Sequence, residues 1–401
     1  MKEKGDCLRK IALIIPNLGP GGAERALSRL SNVLNIDEHE IFVVIFNEVE
    51  NSYKVCGEVI NISVPSSNNK LMKMINIFKR TYKLKKIKDQ YQFDVAISFL
   101  EGANFVNIFS RKKEKVIVSV RNYKSLERNS FYEKAQNILI KYLYKRADEI
   151  VAVSKLIKQD LVKNYKIKNE KIKVIYNSYD TNEITNQANG EIPVDYIDLF
   201  KEGKVITTVG RLTYQKGHWN LIKAFSIFLK KHNEYKLLIV GEGELEKDLK
   251  KLVLELKIQN NVIFTGYVSN PFPIIKESKI YVLSSLFEGF PNALIEAMCC
   301  SKPVISTDCK SGPQEILIEK YYPNYKIRNI EYEDYGVLVP TFDGKLDFTK
   351  TIEENHFMLS DAMEKLINDP KRLNHYEYKS FERAEKFSNQ ASYENWMKVI
   401  N

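Results

Sequence analysis

Short apolar, β-branched runs alternate with longer helical patterns along almost the whole chain, and the alternation lapses only once, near the middle. Runs of this kind belong to strands buried on both faces. The helical stretches between them are long enough to cross over and lay each next strand parallel to the last. Before the lapse the predicted strands are Ile11–Ile15, Ile41–Phe46, Val95–Phe99, Val116–Val120, Glu149–Val153 and Ile172–Ile175, with helices such as Ala23–Leu34, Phe131–Arg146 and Lys155–Asn164. After it they are Val205–Val209, Lys236–Val240, Val262–Phe264, Ile280–Leu283, Val304–Ser306 and Val337–Val339, with helices near Trp219–Lys230, Leu245–Leu256, Asn292–Met298 and His356–Ile367. The lapse itself, TNEITNQANGEIP within Asn177–Gly203, is polar and punctuated by Gly and Pro, and reads as a linker.

The expected architecture is therefore α/β, with two doubly wound, Rossmann-like domains facing across a cleft. Residues 1–178 form the first domain, 179–203 a linker and 204–385 the second domain. The stretch 386–401 packs on the second domain or crosses back to the first. Ligands of such sheets bind beyond the carboxyl ends of the strands. The 401 residues suffice for two cores, and no apolar run approaches the roughly 18 to 20 residues that span a bilayer. KIALIIP after Arg9 is too short for a signal peptide and runs into a Gly loop. Five cysteines without paired metal spacing fit a reducing, cytoplasmic setting.

The formal charge of +10 is unevenly placed, with about 33 Lys/Arg against about 24 Asp/Glu in residues 1–200. Much of the excess lies in residues 68–90, where Leu71, Met74, Ile75, Phe78, Tyr82 and Leu84 are expected to share a helical stripe among basic residues that include Lys73, Lys79, Arg80, Lys83 and Lys86. Such a helix is either an ordinary solvated face or an interfacial helix that attracts anionic lipid, each Lys or Arg adding about 1 kcal/mol. No recognised nucleic-acid module accompanies the charge, so nucleic acid is not expected as a partner.

The most informative motif is EGFPNALIE, Glu288 to Glu296, directly after a predicted strand. Glu288 sits in a Gly/Pro loop, and Pro291 suits the first turn of the helix that follows because it has no N–H to leave unpaired. Backbone N–H groups around Phe290, Asn292 and Ala293 then point from a helix N-terminus, which is a place for phosphate. Glu296 follows on the same helix, so the segment combines an anion site with two hydroxyl-binding carboxylates, as a nucleotide sugar requires. In VGRLTYQKG, Arg211 and Lys216 emerge past another strand end, where an Arg grips a diphosphate bidentately and a Lys serves as a point charge. In the first half GPGGAE places Gly21 and Gly22 before a helix, allowing close backbone approach to a ligand. It lacks the G-x-G-x-x-G spacing, which counts against a dinucleotide enzyme. There is no Asp-x-Asp pair and no His cluster, so no metal is expected. His39, in DEHE, reads as a surface turn.

Together GPGGAE at Gly19, Arg211 to Gly217, GEG at Gly241, GYV at Gly266 and EGFPNALIE resemble the retaining glycosyltransferases of family 4, which have the GT-B fold. SGPQEIL at Ser311 is similar to a branch acting in bacterial surface-polysaccharide, capsule and lipopolysaccharide or lipid-linked glycan assembly. The resemblance implies that Arg211 and Lys216 hold the donor diphosphate, Glu288 contacts donor-sugar hydroxyls and Glu296 the ribose. It implies that Phe290, Asn292 and Ala293 add contacts near the phosphates, and that Gly21 and Gly22 close over them. Many members carry a histidine after a first-domain strand; VIVSVRNYKS has Arg121 and Asn122 there, neither a good base at neutral pH. Glu101 in SFLEGAN is a further acceptor-side candidate.

The expected activity is metal-independent retaining transfer from a UDP-hexose or UDP-N-acetylhexosamine, a substrate rather than a cofactor. The expected acceptor is a glycan or lipid-linked precursor at the inner face of the cell membrane. A nucleotide-sugar epimerase and a catalytically silent nucleotide- or membrane-binding partner are the alternatives.

Overall fold

The computed structural model describes residues 8–401 except 20, 36–38, 51, 68, 127–130 and 322–324. The chain divides into two compact units, Met1–Ser178 with Asn389–Asn401, and Tyr179–Ser388. Among the described residues each unit contains one seven-stranded sheet.

The first sheet comprises β1 (Lys10–Ile15), β2 (Glu40–Ile45), β3 (Glu58–Asn61), β4 (Val95–Phe99), β5 (Lys115–Val120), β6 (Glu149–Ala152) and β7 (Ile172–Val174). All neighbours are parallel, in the order β3-β2-β1-β4-β5-β6-β7, so the winding reverses between β1 and β4. Successive side chains of a strand face opposite ways. Ile11, Leu13 and Ile15 accordingly pack on one face with helix Gly22–Leu34, and Ala12 and Ile14 on the other with Leu84, Ala103 and Val106 of helices Lys70–Tyr91 and Glu101–Phe109. Strand β3 escapes the sequence reading because it is a short edge strand with no buried residue.

The second sheet comprises β8 (Val205–Val209), β9 (Lys236–Val240), β10 (Val262–Gly266), β11 (Ile280–Leu283), β12 (Val304–Thr307), β13 (Glu331–Glu333) and β14 (Gly336–Val339). Its order is β10-β9-β8-β11-β12-β14-β13, parallel except for the antiparallel β13–β14 edge. Here the reversal falls between β8 and β11.

Four sequence expectations need correction. Residues 179–203 are no linker. They include helix Thr181–Ala188, capped by Asp180 accepting from Glu183 N–H at 2.9 Å, and its buried Ile184 belongs to the second unit. Its Gln187 carbonyl accepts from Asn270 at 2.9 Å. A polar outer face hid a real helix.

The terminal stretch divides at Ser388/Asn389 rather than at 385/386. Helix Asn389–Ile400 is part of the first unit, where Trp396, Met397, Val399 and Ile400 join the β1–β2–β4 core and Arg9 Nη1 donates to Ile400 O at 3.0 Å.

Leu84 falls off the stripe expected on residues 68–90, whereas Ile75, Phe78 and Tyr82 keep to one exposed face of the helix. Leu84 is fully buried while Phe78 and Tyr82 are 72% and 61% exposed, because a separation of six residues turns a helix by about 600°, well away from a shared face. The side chains of Leu71 and Met74 lie outside the described residues. His39 is buried, and its Nδ1 accepts the Arg9 N–H at 3.3 Å. No helix among the described residues is long and apolar enough to cross a membrane.

Candidate active site

In the second unit the chain leaves β8 toward β9 on one side, while β11 pairs with β8 on the other. Loops after two such strands diverge, which opens a crevice at their carboxyl ends. The loop after β8 closes with a 3-10 turn, Tyr214–Lys216, and Gly217 at φ 61° before helix His218–Phe228. Only glycine fits at that position, because a Cβ there would stand 2.5 Å from Ser284 O on the β11 loop. Backbone contacts join the two loops: Leu286 N–H donates to Gln215 O at 2.8 Å and Ser284 Oγ to Lys216 O at 3.0 Å.

Glu288 is clamped at the centre. Its N–H donates to Lys310 O at 2.6 Å and its carbonyl accepts from Ser311 N–H at 2.9 Å. Oε1 accepts from Lys216 Nζ and Ser285 Oγ, both at 2.6 Å, and Oε2 from Gln215 Nε2 at 3.1 Å. Gln215 also donates to Phe287 O at 3.0 Å, and Thr307 Oγ1 to Ser285 O at 2.6 Å. A carboxylate oxygen offers about two good acceptor directions. Oε1 is therefore filled by protein, whereas Oε2 keeps one direction for a ligand hydroxyl. The pair is largely buried, side chains 17% and 7% exposed, so each charge depends on the other. Arg211 is exposed and has no ion pair or hydrogen bond from its guanidinium among the described residues, leaving a cation for an incoming anion.

Pro291 occupies the cap position just before helix Asn292–Cys299, not its first turn. The Phe290 ring is buried edge-on to Phe387 at 5.3 Å, so it has only its backbone to offer. Asn292 Oδ1 accepts from Tyr179 Oη at 2.7 Å, which commits part of that side chain to the fold. Ala293 is half-buried and Glu296 buried on the same helix. Burial, aided by Glu296 and Glu288, pushes the Tyr281 phenol well above its usual range. Burial and then Lys216 pull His218 down to about 3, so it is a neutral neighbour of the cation. The GEG and GYV segments also meet, with Gly241 N–H donating to Gly266 O at 2.9 Å and Tyr267 N–H to the Glu242 carboxylate at 3.1 Å.

In the first unit Gly21 caps helix Gly22–Leu34 in an extended conformation, and its N–H donates to Gly19 O at 2.7 Å. A Cβ on Gly21 would collide with the Glu24 carboxylate, so the group closest to this glycine is the chain's own anion at a helix N-terminus. Glu101 follows β4 after Leu100, a non-glycine held at φ 71°. Its carboxylate pairs with Lys124 Nζ at 2.8 Å. Arg121, after β5, donates to Asn177 Oδ1 and to Ser119 Oγ at 3.3 Å and lies over the Phe99 ring at 5.2 Å. Asn122 beside it is half-buried. These acceptor-side candidates thus stand past the carboxyl ends of β4 and β5, with Asn177 reaching Arg121 from beyond the end of β7.

Of the basic candidates, Arg80 is turned toward the sheet: Nε donates to Val64 O at 2.9 Å and the guanidinium covers Phe46 at 4.6 Å. Lys83 Nζ donates to Ile62 O at 2.7 Å, Lys86 Nζ lies over Tyr82 at 4.7 Å, Lys79 is exposed and Lys73 is half-buried.

The sequence reading assigned no role to Gln215, Ser285, Thr307, Lys124 or Asn177. Ser285, three residues before Glu288, and Gln215, adjacent to Lys216, carried a signal: polar side chains flanking a buried charge on the same loop.

Two family models match, Glycosyltransferase Family 4 over residues 20–183 and Glycosyl transferases group 1 over residues 196–328. An uncharacterized glycosyltransferase from Methanocaldococcus jannaschii is 35% identical over 349 residues, covering 83% of this chain and 86% of the relative. The chain belongs to these glycosyltransferases. This glycosyltransferase is also 28% identical over 388 residues (95% of the chain, 96% of the relative) to the Campylobacter jejuni N-acetylgalactosamine-N,N'-diacetylbacillosaminyl-diphospho-undecaprenol 4-alpha-N-acetylgalactosaminyltransferase. Its fold is GT-B, as in HepE from Anabaena, solved with UDP and glucose, which superposes with TM-score 0.73 at 18% identity over 98% of this chain and 99% of that one. TarM superposes with TM-score 0.75 at 15% identity over 99% of both chains.

Proposed function

We propose that this glycosyltransferase moves a hexose or N-acetylhexosamine from a UDP-sugar onto a lipid-linked glycan acceptor, with retention of anomeric configuration and without a metal or cofactor. The observation that carries the donor half is Glu288 and Lys216 joined at the crevice between β8 and β11, with Arg211 exposed beside them. Arg211 and Lys216 hold the diphosphate and stabilise the charge that develops as the nucleotide leaves. Glu288 accepts a sugar hydroxyl on Oε2, and Glu296 accepts from the ribose. The backbone of Phe290, Asn292 and Ala293 adds donors near the phosphates. The first unit supplies Gly21 and Gly22 for phosphate and Glu101, Arg121 and Asn122 for the acceptor. The acceptor hydroxyl attacks the anomeric carbon on the face the nucleotide leaves, and the departing phosphate takes its proton, since neither Arg121 nor Asn122 serves as base.

The lipid-linked acceptor is supported by the Campylobacter relative, whose name specifies a diphospho-undecaprenol substrate. Lys79 and Lys86 on the basic helix, with Lys73 and Lys83, attract the anionic inner face of the membrane. The epimerase and silent-partner readings are not favoured, because the similar proteins are transferases by name. The test is incubation with a panel of UDP-sugars and membrane lipid extract. Donor consumption with a sugar-extended lipid product is expected; no UDP binding and no donor consumption would overturn the proposal.

A further inference from the structure

The loop after β8 carries Arg211 and Lys216, and the turn that presents Lys216 is weak by itself. That 3-10 turn, Tyr214–Lys216, is closed by Lys216 N–H to Thr213 O at 3.2 Å and Gly217 N–H to Tyr214 O at 3.3 Å, long for such bonds. The Tyr214 side chain adds hold from three directions. Its ring stacks on Trp219 at 5.8 Å and meets Phe287, the residue before Glu288, at 6.4 Å. Its Oη donates to Gly344 O, in the segment 340–353 between β14 and helix Glu354–Ile367. That segment is itself pinned along its length. Phe342 is buried 5.0 Å from the His356 ring, Asp347 pairs with the buried Lys223 at 2.8 Å, and Phe348 meets Trp219 edge-on at 6.1 Å. Asn355 Nδ2 donates to Thr341 O at 2.8 Å. Gly344 holds φ 82°, and a Cβ on it would stand 3.0 Å from the Tyr214 phenol oxygen.

We infer, resting on the donor-site reading of Arg211, Lys216 and Glu288, that Tyr214 is a positioning residue for donor binding and that segment 340–353 is the brace through which it is held. The ring bridges the two loops that converge on Glu288. Gln215 and Lys216 are the next two residues, so a shift of Tyr214 carries both away from the carboxylate they share. The hydroxyl fixes where the ring comes to rest, because Gly344 O is anchored by the contacts on either side of it. Tyr214 is 39% exposed, so water competes for this hydrogen bond and its effect falls on loop placement more than on folding. A bound diphosphate holds Lys216 in place by its own charge. The cost of a loosened loop therefore appears in binding the nucleotide and not in the step at the anomeric carbon.

The test compares the full-length wild type with Tyr214→Phe, Gly344→Ala and the double variant. UDP affinity is read by calorimetry, donor KM and kcat with UDP-sugar and membrane lipid extract, and stability by urea unfolding. Tyr214→Phe is expected to weaken UDP binding and raise donor KM about fivefold, while kcat falls less than about twofold and the unfolding midpoint stays in place. Gly344→Ala presses a Cβ against the phenol oxygen and is expected to weaken UDP binding about threefold. That oxygen is gone in Tyr214→Phe, so the double variant is expected to bind UDP no more weakly than Tyr214→Phe alone. Losses that multiply to about fifteenfold would overturn the brace, since the segment would then act independently of Tyr214. Matching falls in kcat and stability with UDP affinity kept would reduce Tyr214 to packing and overturn its positioning role. A wild type that binds no UDP fails the donor reading and takes this inference with it, whereas wild-type binding that Tyr214→Phe leaves unchanged fails this inference alone.

Discussion

Lys216 Nζ and Glu288 Oε1 lie 2.6 Å apart, on loops that follow two adjacent parallel strands and are 72 residues apart in the chain. Glu288 neutralises and aims the cation, so a diphosphate meets a preset group instead of ordering a free lysine. Glu288→Ala is expected to lower transfer at least a hundredfold. Lys216→Met leaves a buried carboxylate without its cation and is expected to cost about 3 kcal/mol of stability as well as activity. Transfer assays and denaturant unfolding of both variants check this; unchanged turnover in Glu288→Ala removes the residue from the site.

Ser285 is fully buried and donates to the same Oε1. It acts through Glu288 and is a positioning residue. Ser285→Ala is expected to lower kcat about tenfold while UDP affinity changes less than threefold, and Ser285→Thr, which keeps the hydroxyl, is expected to restore most of the loss. Equal losses in the two variants would point to packing alone.

Gly217→Ala combines a left-handed φ with a Cβ placed 2.5 Å from Ser284 O. The expected cost is about 1 to 3 kcal/mol, read from denaturant unfolding, with donor affinity falling because the two loops are forced apart.

The neutral state of His356 is built into its contacts. Nδ1 accepts the Glu353 N–H at 2.8 Å, which leaves Nε2 to donate to Asn220 Oδ1 at 3.0 Å. Burial, and then Lys223, pull it down to about 4 from an ordinary 6.5. The unfolded chain binds this proton first, so the residue's contribution to stability is present above pH 6.5 and is lost as pH falls toward 4, at up to about 1.4 kcal/mol per pH unit. Asp308 and Glu333, pushed up to about 6 and about 7, act in the opposite sense. The expectation therefore concerns a difference: stability of the wild type minus that of His356→Gln shrinks on acidification through this window. Urea unfolding at stepped pH measures it.

Trp396→Ala empties a site in the β1–β2–β4 core and is expected to cost about 3 to 5 kcal/mol. The loss should appear as a lower melting temperature with reduced hydrogen-exchange protection in β1 and β4, and not in β8 or β11.

Legibility in the sequence followed burial. Strands buried on both faces, such as β1 and β4, stand out as continuous apolar runs, and EGFPNALIE announced a loop entering a helix with two carboxylates. Edge strands β3 and β13 and helix Thr181–Ala188 did not, because a half-exposed short element has too few apolar residues to show a period. Leu84 departs from the stripe expected on residues 68–90 for a related reason: a helix rich in both lysine and apolar residues offers more than one possible inner face, and only packing against the sheet chose Leu84 over Phe78.

The residue order by itself determined the two α/β units and the presence of Arg211, Lys216 and Glu288 on loops past strand ends and of Glu296 on the helix that follows, since hydrophobic period and turn chemistry are local properties. Tertiary structure decided which distant groups share a carboxylate. Lys216, Gln215 and Ser285 converge on Glu288 because β8 and β11, separated in the chain, are neighbours in the sheet. It also decided that the last helix joins the first unit, where Trp396, Met397, Val399 and Ile400 complete the β1–β2–β4 core together with helix Gly22–Leu34.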